Sequence, residues 1–355
     1  MSVAGRKRPD LRSQRLADLA EWVERRGFEP YRASQIAGWA YNRSPAELGD
    51  MSNLPAEVRA ALEEDFDCSL PRVAHQSESV DGTIKLLVEL GDTEVIESVI
   101  IPREERLTLC ISSQVGCAID CAFCATARLG LRRNLEPAEI VVQVLHARAK
   151  AAPHPLTNYV FMGMGEPLAN YDRLLRAIEI MTARWGLAIS PRRITVSTAG
   201  LVPQLERLAR DTSVHVAVSL TAARDELRDR LMPINKRYPL AELMAACKRL
   251  ELPRRKRVTL EYVLLGGVND TARDARELIA LVHDIPVKLN LIPFNPFPGS
   301  GFERPDDATV ERFQEQMLAA GIHATVRKSR GRDIEAACGQ LATAAGAGST
   351  YAEPA

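Results

Sequence analysis

Apolar side chains recur at helical spacing in the N-terminal part of the chain. Between about residues 12 and 64 they return every three or four positions, as at Trp22 and Ile36. We expect Ser34 and Ser52 to cap two of these helices, because a serine hydroxyl accepts a hydrogen bond from the first helical turn. Pro55 suits the first turn of a helix that starts after Leu54. The pattern predicts a small helical domain.

Between Val73 and Cys110 the pattern changes to the alternation that is typical of strands. Two residue pairs that favour hairpin turns, Asp81-Gly82 and Gly91-Asp92, interrupt it. The helical domain should therefore give way to a core domain near residue 80. The predicted divisions are 1–80, 81–342 and a small, polar, disordered tail at 343–355.

Beyond the hairpin region, short apolar runs alternate with amphipathic segments. Strands are predicted at 159–162, 194–197, 214–220, 258–265 and 287–293, and helices at 138–149, 171–184, 201–210 and 272–283. With the strand that ends near Ile111, these segments make about six βα units. They predict an α/β fold, a partial (β/α)6 barrel with parallel strands and right-handed crossovers. Ligands should bind at the carboxyl ends of its strands.

Composition adds broad limits. Apolar residues make up 46% and charged residues 26% of the 355, as in ordinary globular proteins, and no run of apolar residues is long enough for a membrane helix. The basic segment from Met1 to Arg15 lacks the apolar stretch of a secretory signal. Seven cysteines, an odd number, fit a reducing compartment better than a disulfide framework. We expect a cytoplasmic protein.

Positive charge is distributed in short runs, although the formal net charge is zero. Each run could contact RNA phosphates or could simply be a solvated face. The runs are Arg128 with Arg132-Arg133, Arg192-Arg193, 254–257 and 327–332.

Three cysteines in eight residues are the most informative feature. Cys117, Cys121 and Cys124 have CxxxCxxC spacing and no fourth ligand nearby. A zinc knuckle would want a fourth ligand, whereas a 4Fe-4S cubane held by three thiolates leaves one iron free. Zinc, or three inert buried thiols, stays the alternative. The spacing resembles the signature of the radical S-adenosylmethionine (SAM) superfamily, which implies that SAM binds the free iron and is cleaved to a 5′-deoxyadenosyl radical.

Polar residues follow several predicted strands at the same end. Gly165 and Glu166 follow the strand at 159–162, and a carboxylate there can accept hydrogen bonds from an ammonium group. Ser197, Ser219 and Asn295 end or follow three further strands. Each could be a helix cap, but their repetition at equivalent positions predicts one shared ligand.

Five segments together resemble the RlmN family, whose members methylate C2 of adenine in 23S rRNA and tRNA. They are the cluster loop with its lead-in 109–114, and the segments 161–167, 232–236, 291–299 and 336–341. The resemblance covers about residues 15–342 and adds Leu220 and Thr221 to the expected cofactor site. Thr221 stands where the family usually has His, which puts a contact of this residue with the cofactor or the RNA in doubt.

The resemblance implies a route that uses two SAM molecules. Adenine C2 is electron-poor and cannot attack a sulfonium methyl, so Cys338 first takes the methyl group as a thiolate. A radical from the second SAM then activates that methyl group, which adds to C2 and joins protein to RNA. Glu97 removes the C2 proton, and Cys110 releases the product by forming a disulfide with Cys338. Cys68 and Cys247 are read as inert core residues.

The implied substrates are an adenosine of the peptidyl-transferase centre and the adenosine 3′ of the tRNA anticodon. The resemblance also implies an electron donor such as flavodoxin or ferredoxin, and we expect a monomer. Two rivals stay open: an adenine-C8 methyltransferase of the antibiotic-resistance type, and a cluster-bearing RNA-binding paralogue without turnover. The presence of Cys110, Cys338 and Glu97 together argues against the second.

Overall fold

The computed structural model describes residues 8–43, 48–250 and 257–342. Its N-terminal region contains three helices: α1 (Leu16–Arg25), α2 (Arg32–Gly38) and α3 (Ala56–Asp65). Trp22 packs edge-on against Phe66, with ring centroids 5.5 Å apart, and so joins α1 to the end of α3. The predicted helical region is confirmed. The predicted tail at 343–355 lies outside the described residues.

The two predicted serine caps are wrong. Ser34 lies inside α2, because a turn is already closed where Ala33 N donates to Pro30 O. The residue before α3 is Pro55 rather than Ser52, and its fixed φ of −55° suits the start of a helix. Neither helix start has a side-chain cap, and α3 begins directly after Pro55, close to the start predicted after Leu54.

An antiparallel region follows the helices. It comprises β1 (Arg72–Glu78), β2 (Ile84–Glu89), β3 (Val95–Arg103) and β4 (Arg106–Cys110), with turns at both predicted positions. Since β1 already begins at Arg72, the change from helix to strand precedes residue 80. The division into domains at that residue stays a prediction.

The cluster loop is framed by a small sheet of its own. Strands β5 (Gln114–Gly116) and β6 (Leu131–Asn134) are antiparallel, and the short helix α4 (Ala125–Arg128) lies between them in sequence. Gly116 has a φ of +75°, and a Cβ there would lie 1.7 Å from Gly130 O. Only glycine allows this approach, which holds the two ends of the loop together.

The barrel is built of parallel strands and the helices that connect them. Among the described residues, ten strands form one sheet in the order β1-β2-β3-β4-β7-β8-β9-β10-β11-β12, parallel from β4 onward. The remaining elements are α5 (Pro137–Ala151), β7 (Asn158–Phe161), α6 (Tyr171–Thr182), β8 (Ile194–Thr198), α7 (Val202–Asp211), β9 (His215–Ser219), α8 (Asp225–Leu231), α9 (Leu240–Arg249), β10 (Val258–Leu264), α10 (Ala272–Val282), β11 (Val287–Pro293), α11 (Asp307–Ala319) and β12 (Ala324–Val326).

The partial barrel is confirmed, with additions that the sequence reading did not include. Helices α8, α9 and α11 were not predicted, and β12 adds a seventh parallel strand beside β11. The outermost strands β1 and β12 are not paired with each other, so the barrel stays open. No helix within the described residues has both the length and the apolar character needed to cross a membrane.

Candidate active site

The three motif cysteines line one cavity at the carboxyl ends of the barrel strands. Cys117 follows β5 directly, and its N–H donates to Gly130 O at 3.0 Å. Cys124 precedes the first turn of α4, and its N–H donates to Cys121 O at 3.1 Å. Burial raises the pKa of all three thiols, that of Cys117 to about 12. Such thiols become thiolates when a metal displaces their protons.

The loop after β7 forms the opposite wall of this cavity. Gly165 has a φ of +98°, and a Cβ there would lie 2.5 Å from the side chain of Gln114. Gln114 in turn accepts a hydrogen bond from Glu166 N at 2.8 Å. Strand β5, which leads into the cluster loop, thereby also fixes the Gly165-Glu166 turn.

Glu166 is buried and held by backbone donors. Its carboxylate accepts from Ala199 N at 2.7 Å and from Leu168 N at 3.0 Å. Burial raises the pKa of Glu166 to about 7, although these hydrogen bonds oppose the shift. A carboxyl group whose pKa lies near neutral pH would ionise fully beside a bound ammonium group.

Most of the predicted cofactor residues meet in this first cavity, which measures about 160 Å³. They comprise Gly165, Glu166, Ser197, Ser219 and Asn295, together with Cys117, Cys121, Cys124 and Cys338. The Ser197 hydroxyl donates to Glu261 at 2.9 Å, whereas Asn295 Oδ1 is buried and has no partner among the described residues. An orphaned buried amide oxygen favours a ligand that donates to it.

Leu220 and Thr221 are buried but are not among the residues that line this cavity. Thr221 has a φ of +59°, and its Oγ1 has no partner within the described part of the chain. Its carbonyl accepts a hydrogen bond from Asn269 at 2.7 Å. Their place in the cofactor site stays a prediction.

Cys338 lies at the junction of two cavities. It lines the first cavity beside the motif cysteines, and it lines a second cavity of about 40 Å³ together with Cys110 and Arg327. Asn295 also lines both and donates from Nδ2 to Cys338 O at 3.1 Å. The segment that carries Cys338 is further held by Ala125 N, which donates to Gly339 O at 2.8 Å.

Cys110 and Glu97 occupy one face of the sheet. In the β3–β4 ladder Val99 is opposite Cys110, and Glu97 is two positions from Val99, so all three side chains share a face. Burial raises the pKa of Cys110 to about 12. Glu97 itself is not among the residues that line either cavity.

The Glu97 carboxylate is held from one side only. Its Oε1 is 3.2 Å from Lys85 Nζ on β2, while Oε2 is buried and has no hydrogen-bond partner among the described residues. Burial raises the pKa of Glu97, and the positive charge of Lys85 opposes the rise. One oxygen is therefore anchored, and the other is available to accept a proton.

The sequence analysis missed a charged group, Arg327, that lines the second cavity with Cys110 and Cys338. Arg327 Nη1 is 3.3 Å from Met162 Sδ and 3.7 Å from Glu261 Oε1, and the charges of Cys338 and Glu261 raise the pKa of Arg327. The sequence does contain one indication, since Glu261 interrupts the otherwise apolar run of β10. Arg327 was read as part of a surface run, whereas it lines the second cavity.

The other basic runs are spread over the fold. Arg132 pairs with Glu94 at 3.0 Å, and Arg133 pairs with Asp92 at 2.6 Å and with Glu139 at 2.8 Å. Arg192-Arg193 precedes β8, at the end of the strand that is remote from the cavities. Most of the run at 254–257 lies outside the described residues.

The donor set fits an iron-sulfur cluster. Among the described residues, no three His, Cys, Asp or Glu side chains converge on a point where one metal ion would bind. A cubane needs no such convergence, because each thiolate binds a different iron. Three thiols that line one cavity, together with a buried carboxylate and an orphaned amide oxygen, are the groups that would hold the cluster and its SAM.

Comparison with known proteins agrees with this geometry. The model of the radical SAM superfamily matches residues 111–279, and that of the ribosomal RNA large subunit methyltransferase N-terminal domain matches residues 10–67. The crystal structure of a radical SAM methyltransferase from Sphaerobacter thermophilus has a TM-score of 0.90 and 45% identity, covering 94% of this chain and 99% of that one. The fold and the cluster loop thus define a radical SAM enzyme.

Two curated relatives identify the family within that class. The dual-specificity RNA methyltransferase RlmN of Anaeromyxobacter dehalogenans is 47% identical over 98% of this chain and 95% of its own length. That of Geobacter sulfurreducens is 51% identical over 94% of this chain and 91% of its own length. The chain belongs to the RlmN family.

Proposed function

We propose that this radical SAM RNA methyltransferase methylates C2 of an adenosine in the peptidyl-transferase centre of 23S rRNA and of the adenosine 3′ of the tRNA anticodon. The observation that supports this most is the position of Cys338, which lines one cavity with the motif cysteines and another with Cys110. A thiol at this junction can receive a methyl group from one side and be resolved from the other.

In this proposal Cys117, Cys121 and Cys124 hold one 4Fe-4S cluster per chain. When bound, the cluster supplies the electron that cleaves SAM to a hydrogen-abstracting radical. Glu166 and Asn295 orient SAM, Glu166 through its ammonium group. The rest of the SAM site is formed by Gly165, Ser197 and Ser219. Leu220 and Thr221, which follow Ser219 in sequence, support this site.

Cys338 carries the methyl group. As a thiolate it attacks the methyl group of a first SAM and displaces S-adenosylhomocysteine. Loss of a hydrogen atom from the resulting S-methyl group gives a carbon radical, which adds to adenine C2 and links Cys338 to RNA. The adduct passes one electron to a one-electron carrier of the class that supplies electrons to the enzyme, and Glu97 accepts the C2 proton through Oε2. Cys110, as a thiolate, then attacks the Cys338 sulfur, so that a disulfide forms as the carbon-sulfur bond breaks, and the released methylene carbon takes up a proton to become the methyl group.

The remaining parts of the proposal concern the electron donor, the oligomeric state and the cellular location. A low-potential one-electron donor such as flavodoxin or ferredoxin would reduce the cluster. The enzyme would act as a monomer in the cytoplasm, where its RNA substrates are.

The test is mass spectrometry of nucleosides from RNA treated anaerobically with reconstituted protein, SAM and a reductant. We expect 2-methyladenosine in both rRNA and tRNA substrates. Methylation at C8 instead would assign the rival chemistry, and SAM cleavage without any methylated RNA would contradict the proposal.

A further inference from the structure

Helix α8 carries a guanidinium group that is completely enclosed. Arg228 has no exposed surface, and all of its hydrogen bonds go to uncharged acceptors. Nε donates to Leu220 O at 3.1 Å and Nη1 to Asn235 Oδ1 at 2.9 Å, while Nη2 donates to Ala199 O at 2.8 Å and Ser219 O at 3.1 Å. These four bonds occupy four of its five N–H donors, and none of the acceptors carries a charge.

No carboxylate within the described residues forms an ion pair with Arg228 within 4.0 Å, although the charges of Asp225 and Asp229 act on it from a greater distance. Two of the three acidic residues of its own helix, Asp225 and Asp229, instead accept hydrogen bonds from Asn235 Nδ2 at 2.9 and 2.7 Å. A buried cation without a counter-charge is costly. An anion that lies closer to Arg228 than these two carboxylates would lower that cost.

The position of Arg228 shows where such an anion would sit. Leu231, at the end of α8, accepts a hydrogen bond from Ala122 N of the cluster loop at 3.0 Å, and Cys121 packs against the apolar residues of the same helix. Ala199 and Ser219, whose carbonyls bind the guanidinium, line the cavity that also contains the motif cysteines. Burial lowers the pKa of Arg228 to about 10, and Cys121 is the largest charge that opposes this shift.

We infer that Arg228 is the buried counter-charge of the iron-sulfur cluster and raises its reduction potential. The inference rests on the proposed function only in that the three cysteines hold a cluster. A cubane with three thiolate ligands carries net negative charge, and reduction adds one more electron. A fixed cation behind the cavity wall therefore stabilises the reduced state more than the oxidised state. This effect on the reduction potential involves no proton transfer and no further reactant.

The experiment is a potentiometric titration of the reconstituted full chain, monitored by electron paramagnetic resonance, without SAM or RNA. Arg228→Gln and Arg228→Met remove the charge, and either serves if the other fails to fold or to bind iron. Arg228→Lys keeps the charge but loses most of the same hydrogen bonds. We expect the neutral variants to have at least a tenfold smaller equilibrium constant for reduction, about 59 mV for one electron. The lysine variant should stay close to wild type.

Arg249→Gln provides a matched control, because it removes the same charge from an exposed arginine that lines neither cavity. Its potential should equal that of wild type. An unchanged potential in a folded neutral variant would overturn the inference, as would an equal fall in the lysine and neutral variants, which would assign the effect to hydrogen bonding. Wild-type protein that takes up no iron would instead overturn the cluster assignment itself.

Discussion

The two cavities that meet at Cys338 are built in different ways. The first is made mainly by one short loop and by the ends of successive barrel strands, so its residues lie in recognisable motifs. The second brings together Cys110 from β4, Met162 from the loop after β7, and Arg327 after β12. The first cavity has the donors to bind a cofactor, whereas the second places charged and sulfur-bearing side chains around one thiol. Binding and resolution should therefore be separable by mutation.

Removal of the shared residue should have the largest effect, because Cys338 belongs to both cavities. We expect Cys338→Ala to lower the yield of methylated RNA by at least about 100-fold, as loss of a nucleophile does. Iron content should be unchanged. Mass spectrometry of protein and nucleosides would measure both, with Cys68→Ala as the control thiol outside the two cavities. Methylated RNA from the Cys338 variant at wild-type yield would remove the shared thiol from the reaction.

The next comparison changes one cysteine in each cavity. Cys124→Ala should lose the cluster and with it SAM cleavage, since two thiolates cannot replace three. Cys110→Ala should keep the cluster and accumulate protein joined to RNA through Cys338, because the resolving thiol is missing. A denaturing gel and iron analysis distinguish these outcomes. If Cys110→Ala released normal product without adduct, another thiol would have to perform the resolution.

A smaller change to the first cavity should affect only SAM binding. Glu166→Gln removes the charge that we expect to face the ammonium group, and a hydrogen bond to a charged group contributes about 1.5–3 kcal/mol. SAM affinity should fall roughly tenfold or more, with the cluster intact. Because the pKa of Glu166 is raised to about 7, wild-type affinity should increase from about pH 6 to about pH 8 as the carboxylate ionises. Calorimetry that finds the same pH dependence in the variant would exclude Glu166 as its source.

The smallest expected effect concerns Lys85, which contacts neither SAM nor the cysteines. Lys85→Met should raise the pKa of Glu97 further, because the opposing positive charge is lost. Since the base acts as a carboxylate, the low-pH limb of the adduct-resolution profile should move to higher pH, with several-fold slower resolution at neutral pH. Glu335, whose charge also raises the pKa of Glu97, keeps its charge in this variant but loses the hydrogen bond that Lys85 Nζ donates to its carbonyl at 3.4 Å. Lys85→Arg retains the charge and should keep the wild-type profile. Identical profiles for Met and Arg would exclude this electrostatic role.

The sequence predicted regular elements well where one side chain pattern dominated. The apolar run of β10 was predicted at 258–265 and is observed at Val258–Leu264. Helix α8 was missed because it has only seven residues and its buried face carries Arg228 between Leu227 and Leu231, which leaves too short an apolar pattern to mark a helix. Helix α11 does have such a stripe in Val310, Phe313 and Met317, so it could have been found.

For the site, proximity in the chain decided what could be predicted. The cluster cysteines needed only their spacing, whereas Cys110, Cys338 and Glu97 were assigned by resemblance to a family. The pairing of Lys85 with Glu97 depends on the register of β2 and β3, which no local pattern specifies. The contacts of Arg327 could not be predicted for the same reason, because its partners Met162 and Glu261 lie on other strands or loops.

The hydrogen bonds that hold segment 335–342 against the cluster loop also affect the order of biosynthesis. Ala125 binds Gly339, and Thr126 Oγ1 donates to Leu341 O, although more than 200 residues separate the partners in sequence. A ribosome releases the cluster loop long before it releases Cys338. The barrel strands and the cluster loop are thus synthesised before Cys338, the methyl acceptor that we propose. The proposed reactive centre becomes complete only when segment 335–342 docks, so chemistry on Cys338 would have to wait for the finished chain.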